Sequence, residues 1–117
     1  MAKILIAEDN ELTRYLLRTS LENNNHTIEI VQNGREAIQS LAMNPPDMIL
    51  LDLMMPGIEG AEVIRTVRNT PDLNQITIIV ITGLAEPENI AETALADLML
   101  YKPVPIEELL AHIQHFL

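Results

Sequence analysis

Residues Ile49–Gly60 read ILLDLMMPGIEG. A run of branched aliphatics stops at a single carboxylate, Asp52, and a Pro-Gly break follows at Pro56. An apolar run this short, closed by turn residues, has the form of a strand covered on both faces, which belongs inside a parallel sheet. Four further runs fit beside it: Lys3–Ala7 (KILIA), Thr27–Val31 (TIEIV), Ile76–Ile81 (ITIIVI) and Leu98–Tyr101 (LMLY), with Asp47–Leu51 (DMILL) as the third strand.

Helical patterns separate the runs. Leu12, Leu16, Leu17 and Leu21 form an apolar stripe behind Asn10, a suitable N-cap. Asn33 caps a second helix, with Glu36 at the capping-box position and Ala37, Ile38 and Leu41 facing inward. Val63, Ile64 and Val67 mark a third, from about Gly60 to Arg68 and ending before Pro71. A fourth, short and rich in alanine, starts near Pro87 and uses Ile90, Ala94 and Leu95. The fifth opens with Pro105 as its first helical residue and carries Ile106, Leu109, Leu110, Ile113 and Phe116. Five strand–helix units in 117 residues predict one doubly wound α/β domain spanning residues 1–117.

Composition narrows the function. No apolar run reaches the roughly 20 residues of a membrane helix, and MAKILIAEDN turns acidic too soon for a secretion signal. The expectation is a cytoplasmic protein with no membrane partner. Without cysteine, there is no disulfide, thiolate metal site or thiol nucleophile. A net charge of −10 with no Lys/Arg cluster disfavours direct nucleic-acid binding and favours a cation or a basic partner.

In a doubly wound sheet, ligands bind beyond the carboxyl ends of the strands. Those ends carry Glu8-Asp9, Asp52, Thr82-Gly83 and Lys102-Pro103. Taken singly, each has an ordinary structural use as a turn former, a cap, a strand end or a solvated charge. Taken together, they bring three carboxylates, a hydroxyl and an ammonium to one edge. Clustered carboxylates repel one another, and a hard divalent ion such as Mg2+ relieves that repulsion.

From KILIAEDN through PDMILLDLMMPGIEG and VITG to YKPVPIEELLAHI, the chain resembles the receiver domains of two-component response regulators. The resemblance implies a flavodoxin-like five-stranded sheet of order 2-1-3-4-5 with five flanking helices. It implies Asp52 as phosphoacceptor, Asp9 as a direct Mg2+ ligand, Glu8 as a weaker or water-mediated one, and the Met54 backbone carbonyl as another. Thr82 would donate a hydrogen bond to the phosphoryl group and Lys102 would neutralise it. The phosphodonor would be a sensor histidine kinase or histidine phosphotransfer protein. An effector would be met through the face of the fourth helix, fifth strand and fifth helix. The chemistry would be self-catalysed phosphoryl transfer and autodephosphorylation, not turnover by an enzyme. The competing readings are a degenerate receiver-like interaction module that takes no phosphate, and a flavodoxin or small phosphatase on the same fold. The latter lacks a G-x-G-x-x-G motif or a second Asp two residues after Asp52.

The sequence departs from the family pattern in three ways. Met99 stands where many receivers carry an aromatic residue, and Tyr101 lies beside Lys102 instead; we expect Met99 to fill the space and Tyr101 to cover a neighbouring surface. The segment from Thr82 to Lys102 is about two residues short, which predicts a trimmed fourth helix. Met54 and Leu84, two residues after Asp52 and Thr82, are apolar and cannot orient a water, which predicts slow loss of the phosphoryl group.

Overall fold

The unbroken aliphatic strands are explained by what lies on their two sides. In the computed structural model, which describes residues 2–54, 60–87 and 90–117, five parallel strands pair in the order β2-β1-β3-β4-β5. They are β1 (Lys3–Ala7), β2 (Thr27–Val31), β3 (Met48–Leu51), β4 (Thr77–Thr82) and β5 (Leu98–Tyr101). Alternate side chains point to opposite faces. Ile4, Ile6, Met48, Leu50, Ile79 and Ile81 enter one core with Leu17, Leu21, Leu109 and Ile113. Leu5, Ala7, Ile49, Leu51, Ile78 and Val80 enter the other with Ala37, Leu41, Val63, Ile64 and Val67. The helices α1 (Glu11–Glu22) and α4 (Ile106–Phe116) therefore cover one face, and α2 (Gly34–Met43) and α3 (Gly60–Asn69) the other. The edge strand β2 places Thr27 and Glu29 among its apolar residues and is only partly buried, as an edge position allows.

The local signals at the helix starts are realised. The Asn10 side chain accepts from the Thr13 N–H at 2.9 Å. Asn33 accepts from the Glu36 N–H at 2.8 Å, while the Glu36 carboxylate reaches back to the Gln32 N–H at 3.0 Å. That return bond falls one residue before the cap.

Several expectations need correction. The apolar stripe of α1 is narrower than the sequence suggests: Leu17 and Leu21 are buried, but Leu12 is 67% and Leu16 43% exposed. A helix turns by about 100° per residue, so once Leu17 faces the sheet its neighbour Leu16, and Leu12 with it, rotate outward. Pro105 is the N-cap, not the first helical residue, its carbonyl accepting from the Leu109 N–H at 3.0 Å. Asp47 precedes β3, where its carboxylate takes the Lys3 N–H at 2.8 Å. Ile76 precedes β4, because its N–H closes a turn onto Leu73.

The largest difference lies between β4 and β5. Among the described residues there are four α-helices, and the expected fourth of five is a 3-10 turn, Ala91–Leu95; Glu88 and Asn89 lie outside the described residues. The trimming follows from the shortness of the segment, and two arginines of α3 compensate for it. Arg65 pairs with Glu92 at 2.6 Å. Arg68 donates to the carbonyls of Leu95, Asn74 and Ile76 and to the Asp97 carboxylate at 2.8–3.0 Å. Asp97 in turn accepts from the Ile78 N–H at 2.8 Å. One side chain thus ties α3, the 3-10 turn and the approaches to β4 and β5 together.

Charge-assisted hydrogen bonds of this kind contribute about 1.5–3 kcal/mol each at most, and they overlap. Arg68→Ala should therefore lower stability by about 2–3 kcal/mol, read from the urea midpoint at unchanged slope. A loss under about 0.5 kcal/mol, the level of an ordinary surface substitution, would show that the network does not hold the segment.

Candidate functional site

β1 and β3 are neighbours while β2 lies on the far side of β1, so the chain reverses its direction of winding between them. Ala7 pairs with Leu51, and the next residues of the two strands, Glu8 and Asp52, emerge side by side. Two main-chain bonds hold them there: Asp52 N–H to the Ala7 carbonyl at 3.0 Å, and Glu8 N–H to the Val31 carbonyl at 3.2 Å. At the other flank Thr82 ends β4 opposite Tyr101, and the Lys102 N–H donates to the Thr82 carbonyl at 2.8 Å.

These constraints bring the sequence-predicted side chains together. Carboxylate oxygens of Glu8, Asp9 and Asp52 lie within 4.8 Å of one another. The Lys102 ammonium sits between two of them, 2.9 Å from Glu8 Oε1 and 3.0 Å from Asp52 Oδ2. The Lys102-Pro103 peptide is cis. Asp52 Oδ1 accepts from the Met54 N–H at 2.9 Å, and Glu8 Oε2 from the Asn10 N–H at 3.1 Å. Glu8 and Asp52 are almost wholly buried, whereas Asp9 is exposed. Thr82 is fully buried, its Oγ accepting from the Leu84 N–H at 3.1 Å, which leaves the hydroxyl proton available to an acceptor.

The electrostatics are unbalanced. Three carboxylates face one ammonium, so two negative charges stay uncompensated at close range. Burial pushes the Glu8 carboxyl above its ordinary pKa, against the hydrogen bonds from Lys102 and Asn10, and the Asp52 charge adds to the rise. Burial on its own would lower the Lys102 ammonium, but the hydrogen bonds and charges of Glu8 and Asp52 reverse that and raise it. The donor set consists only of oxygens, which fits a hard divalent cation such as Mg2+.

Other expectations can be placed. Met99 packs partly buried against the core under α2 and α3, while Tyr101 is 50% exposed beside the buried Thr82. Met54 is 56% exposed and Leu84 partly buried at the mouth of the site. The Pro-Gly break at Pro56 and Gly57 lies outside the described residues.

Two residues at the site escaped the reading of the sequence. Gly60, at the start of α3, meets the backbone beneath the site: a Cβ there would lie 2.8 Å from the Leu53 Cα and 3.3 Å from the Asp52 carbonyl oxygen. Arg14 returns from α1 to donate to the carbonyls of Asp9 at 2.8 Å and Glu8 at 3.2 Å. The signal for it was present, because a residue one turn beyond the Asn10 cap lies above the preceding loop.

Known proteins share this fold. Residues 4–114 match the response regulator receiver domain family. Response regulator MprA of Mycolicibacterium vanbaalenii is 40% identical over 117 residues, 98% of this chain and 50% of that protein. The chain thus spans about half the length of the curated relatives it matches. Among solved structures, the chemotaxis response regulator CheY4 of Vibrio cholerae is 30% identical with a TM-score of 0.90, over 100% of this chain and 99% of that one. TrrA of Thermotoga maritima, solved in complex with Mg(2+)-BeF, is 28% identical with a TM-score of 0.90 over 100% of both.

The Glu8 shift gives a pH dependence whose sign is fixed. Its folded pKa lies above the unfolded value of 4.5. Its contribution to stability is therefore full below pH 4.5 and lost as pH rises through the folded pKa. Lys102 is raised above 10.5, so its contribution is lost only in alkali, as pH rises through its folded pKa, and stays out of this window. In metal-free protein, the stability of wild type minus that of Glu8→Gln should fall as pH rises from 4.5 toward neutrality. Urea midpoints measure it; a difference that stays flat or rises would contradict the assignment.

Proposed function

The chain belongs to the response regulator receiver domain family, and on that footing we propose that residues 1–117 form one receiver domain in which Asp52 accepts a phosphoryl group from a phosphohistidine. The phosphodonor is a sensor histidine kinase or a histidine phosphotransfer protein. The observation that carries the reading is the convergence of Glu8, Asp9 and Lys102 on Asp52 from the ends of three strands.

In this mechanism the Asp52 carboxylate attacks phosphorus, the P–N bond to the donor imidazole breaks, and an acyl phosphate forms on Asp52. Transfer of this kind depends on positioning and on neutralising the phosphoryl oxygens rather than on covalent help from the protein. The Met54 N–H and the Lys102 ammonium fix the two Asp52 oxygens and so orient the nucleophile. Asp9, Asp52 and the Met54 carbonyl, with Glu8 beside them, would hold Mg2+, which would supply positive charge to offset the carboxylates and the phosphoryl oxygens. Lys102 adds to that charge once the new oxygens compete with Glu8 for it. Thr82 donates its hydroxyl proton to a phosphoryl oxygen.

The gain of roughly 1.5–2 negative charges at Asp52 draws Thr82 and Lys102 toward it and shifts the population of conformations of the adjoining face. That face consists of the 3-10 turn, β5 and α4, and an effector domain or protein reads it. The chemistry is self-catalysed and leaves the domain itself modified, so the domain is a switch and not a turnover enzyme. A cytoplasmic setting, shared with the phosphodonor, goes with this role; among the described residues no helix is long and apolar enough to cross a membrane. The convergence of Glu8, Asp9, Asp52 and Lys102 supports transfer over a module that takes no phosphate.

Incubation with acetyl phosphate and Mg2+ should add one phosphoryl mass to the intact protein, none to Asp52→Ala, and none when the metal is chelated. A gain that persists in Asp52→Ala, or no gain in wild type, would overturn the assignment. Decay in the same samples tests the lifetime: Met54→Asn or Leu84→Glu should shorten it, and no acceleration in either would contradict the role given to the two apolar side chains.

A further inference from the structure

Of the three carboxylates at the site, two are held and one is not. Glu8 and Asp52 are fixed by Lys102 and by backbone N–H groups. Asp9 is exposed, and its carboxylate has no hydrogen-bond or ion-pair partner among the described residues. Its place beside Glu8 and Asp52 is therefore set by the path of its backbone. That path is closed by one side chain. Arg14 Nη1 donates to the Asp9 carbonyl at 2.8 Å and to the Glu8 carbonyl at 3.2 Å. Arg14 stands on the first turn of α1, which the Asn10 side chain ties to the same loop through the Thr13 N–H, and its own N–H donates to the Asn10 carbonyl at 3.0 Å. Loop and helix start form a closed unit with the guanidinium as its clasp.

We propose that Arg14 is a positioning residue for the cation site: by gripping the carbonyls of Glu8 and Asp9, it holds the Asp9 carboxylate ready for the divalent ion. The proposal rests on the reading of Glu8, Asp9 and Asp52 as a cation site. Its physical content is a reversal of sign. An arginine close to a divalent ion repels it, so Coulomb's law alone makes removal of Arg14 tighten Mg2+ binding. If the guanidinium preorganises a ligand, removal weakens binding, since outer-shell partners typically contribute 10–100-fold to metal affinity.

Calorimetric titration of the full chain with MgCl2, without phosphodonor, separates the two. Arg14→Met keeps the apolar stem over the helix and removes the donors; it should weaken Mg2+ binding by about tenfold. Arg14→Lys, whose ammonium can donate to both carbonyls, should recover most of the loss. Arg18→Ala removes the same charge one turn further on, from a side chain with no partner among the described residues, and should leave affinity unchanged or slightly tighter. Thermal unfolding without metal checks that each variant folds, and Arg14→Ala carries the same expectation should Arg14→Met not fold. Equal or tighter binding in Arg14→Met, with binding abolished in Asp9→Ala, overturns the role of Arg14 and leaves the cation site standing. No Mg2+ binding by wild type overturns both.

Discussion

Repulsion among Glu8, Asp9 and Asp52 is the constraint around which the rest is arranged. Side chains that would avoid one another in solution are brought within 4.8 Å because the backbone carrying them is locked in a sheet. The cost is met by the two cores: Ile4, Leu5, Ile6, Ile49, Leu50 and Leu51, all but fully buried, hold β1 and β3 in register and so keep the backbones at Glu8 and Asp52 side by side. Lys102 offsets part of the charge. The remainder is a cluster of oxygen donors that fits a divalent cation.

The same imbalance explains how a local modification can reach a distant surface. Lys102 is shared between Glu8 and Asp52, so any new anion on Asp52 changes what it contacts. Thr82 and Lys102 lie at the ends of β4 and β5, joined by a main-chain hydrogen bond of 2.8 Å. A shift of one is felt by the other and by the segments that follow them. On the opposite side of that region, α3 restrains the 3-10 turn through Arg65 and Arg68. The 3-10 turn is thus anchored at α3, while Thr82 and Lys102 join the neighbouring strand ends at the pocket.

What could be read in the sequence follows the range of the interactions. Asn10, Asn33 and Glu36 act within four residues, and their roles were legible one by one. The strands were legible because burial on both faces leaves long aliphatic runs, and the site because strand ends in a doubly wound fold meet at one edge. The phase of α1 was not, since four leucines at 12, 16, 17 and 21 fit two neighbouring stripes and only contact with the sheet selects Leu17 and Leu21. The 3-10 turn was foreseen as a shortening but not as a change of helix type, and the arginines that brace it bond mainly to carbonyls, which every residue offers alike. Arg14 also bonds to carbonyls, and only its place one turn beyond the Asn10 cap pointed to it.

The central claim is that a single cation joins parts of the chain far apart in sequence. Crystals of the full chain grown with Mn2+, a carboxylate-seeking stand-in for Mg2+ with usable anomalous scattering, test it directly. The account predicts one anomalous peak at the carboxyl end of the sheet, coordinated by both Asp9 and Asp52. A peak that leaves either carboxylate uncoordinated, or no peak at this edge, would contradict it.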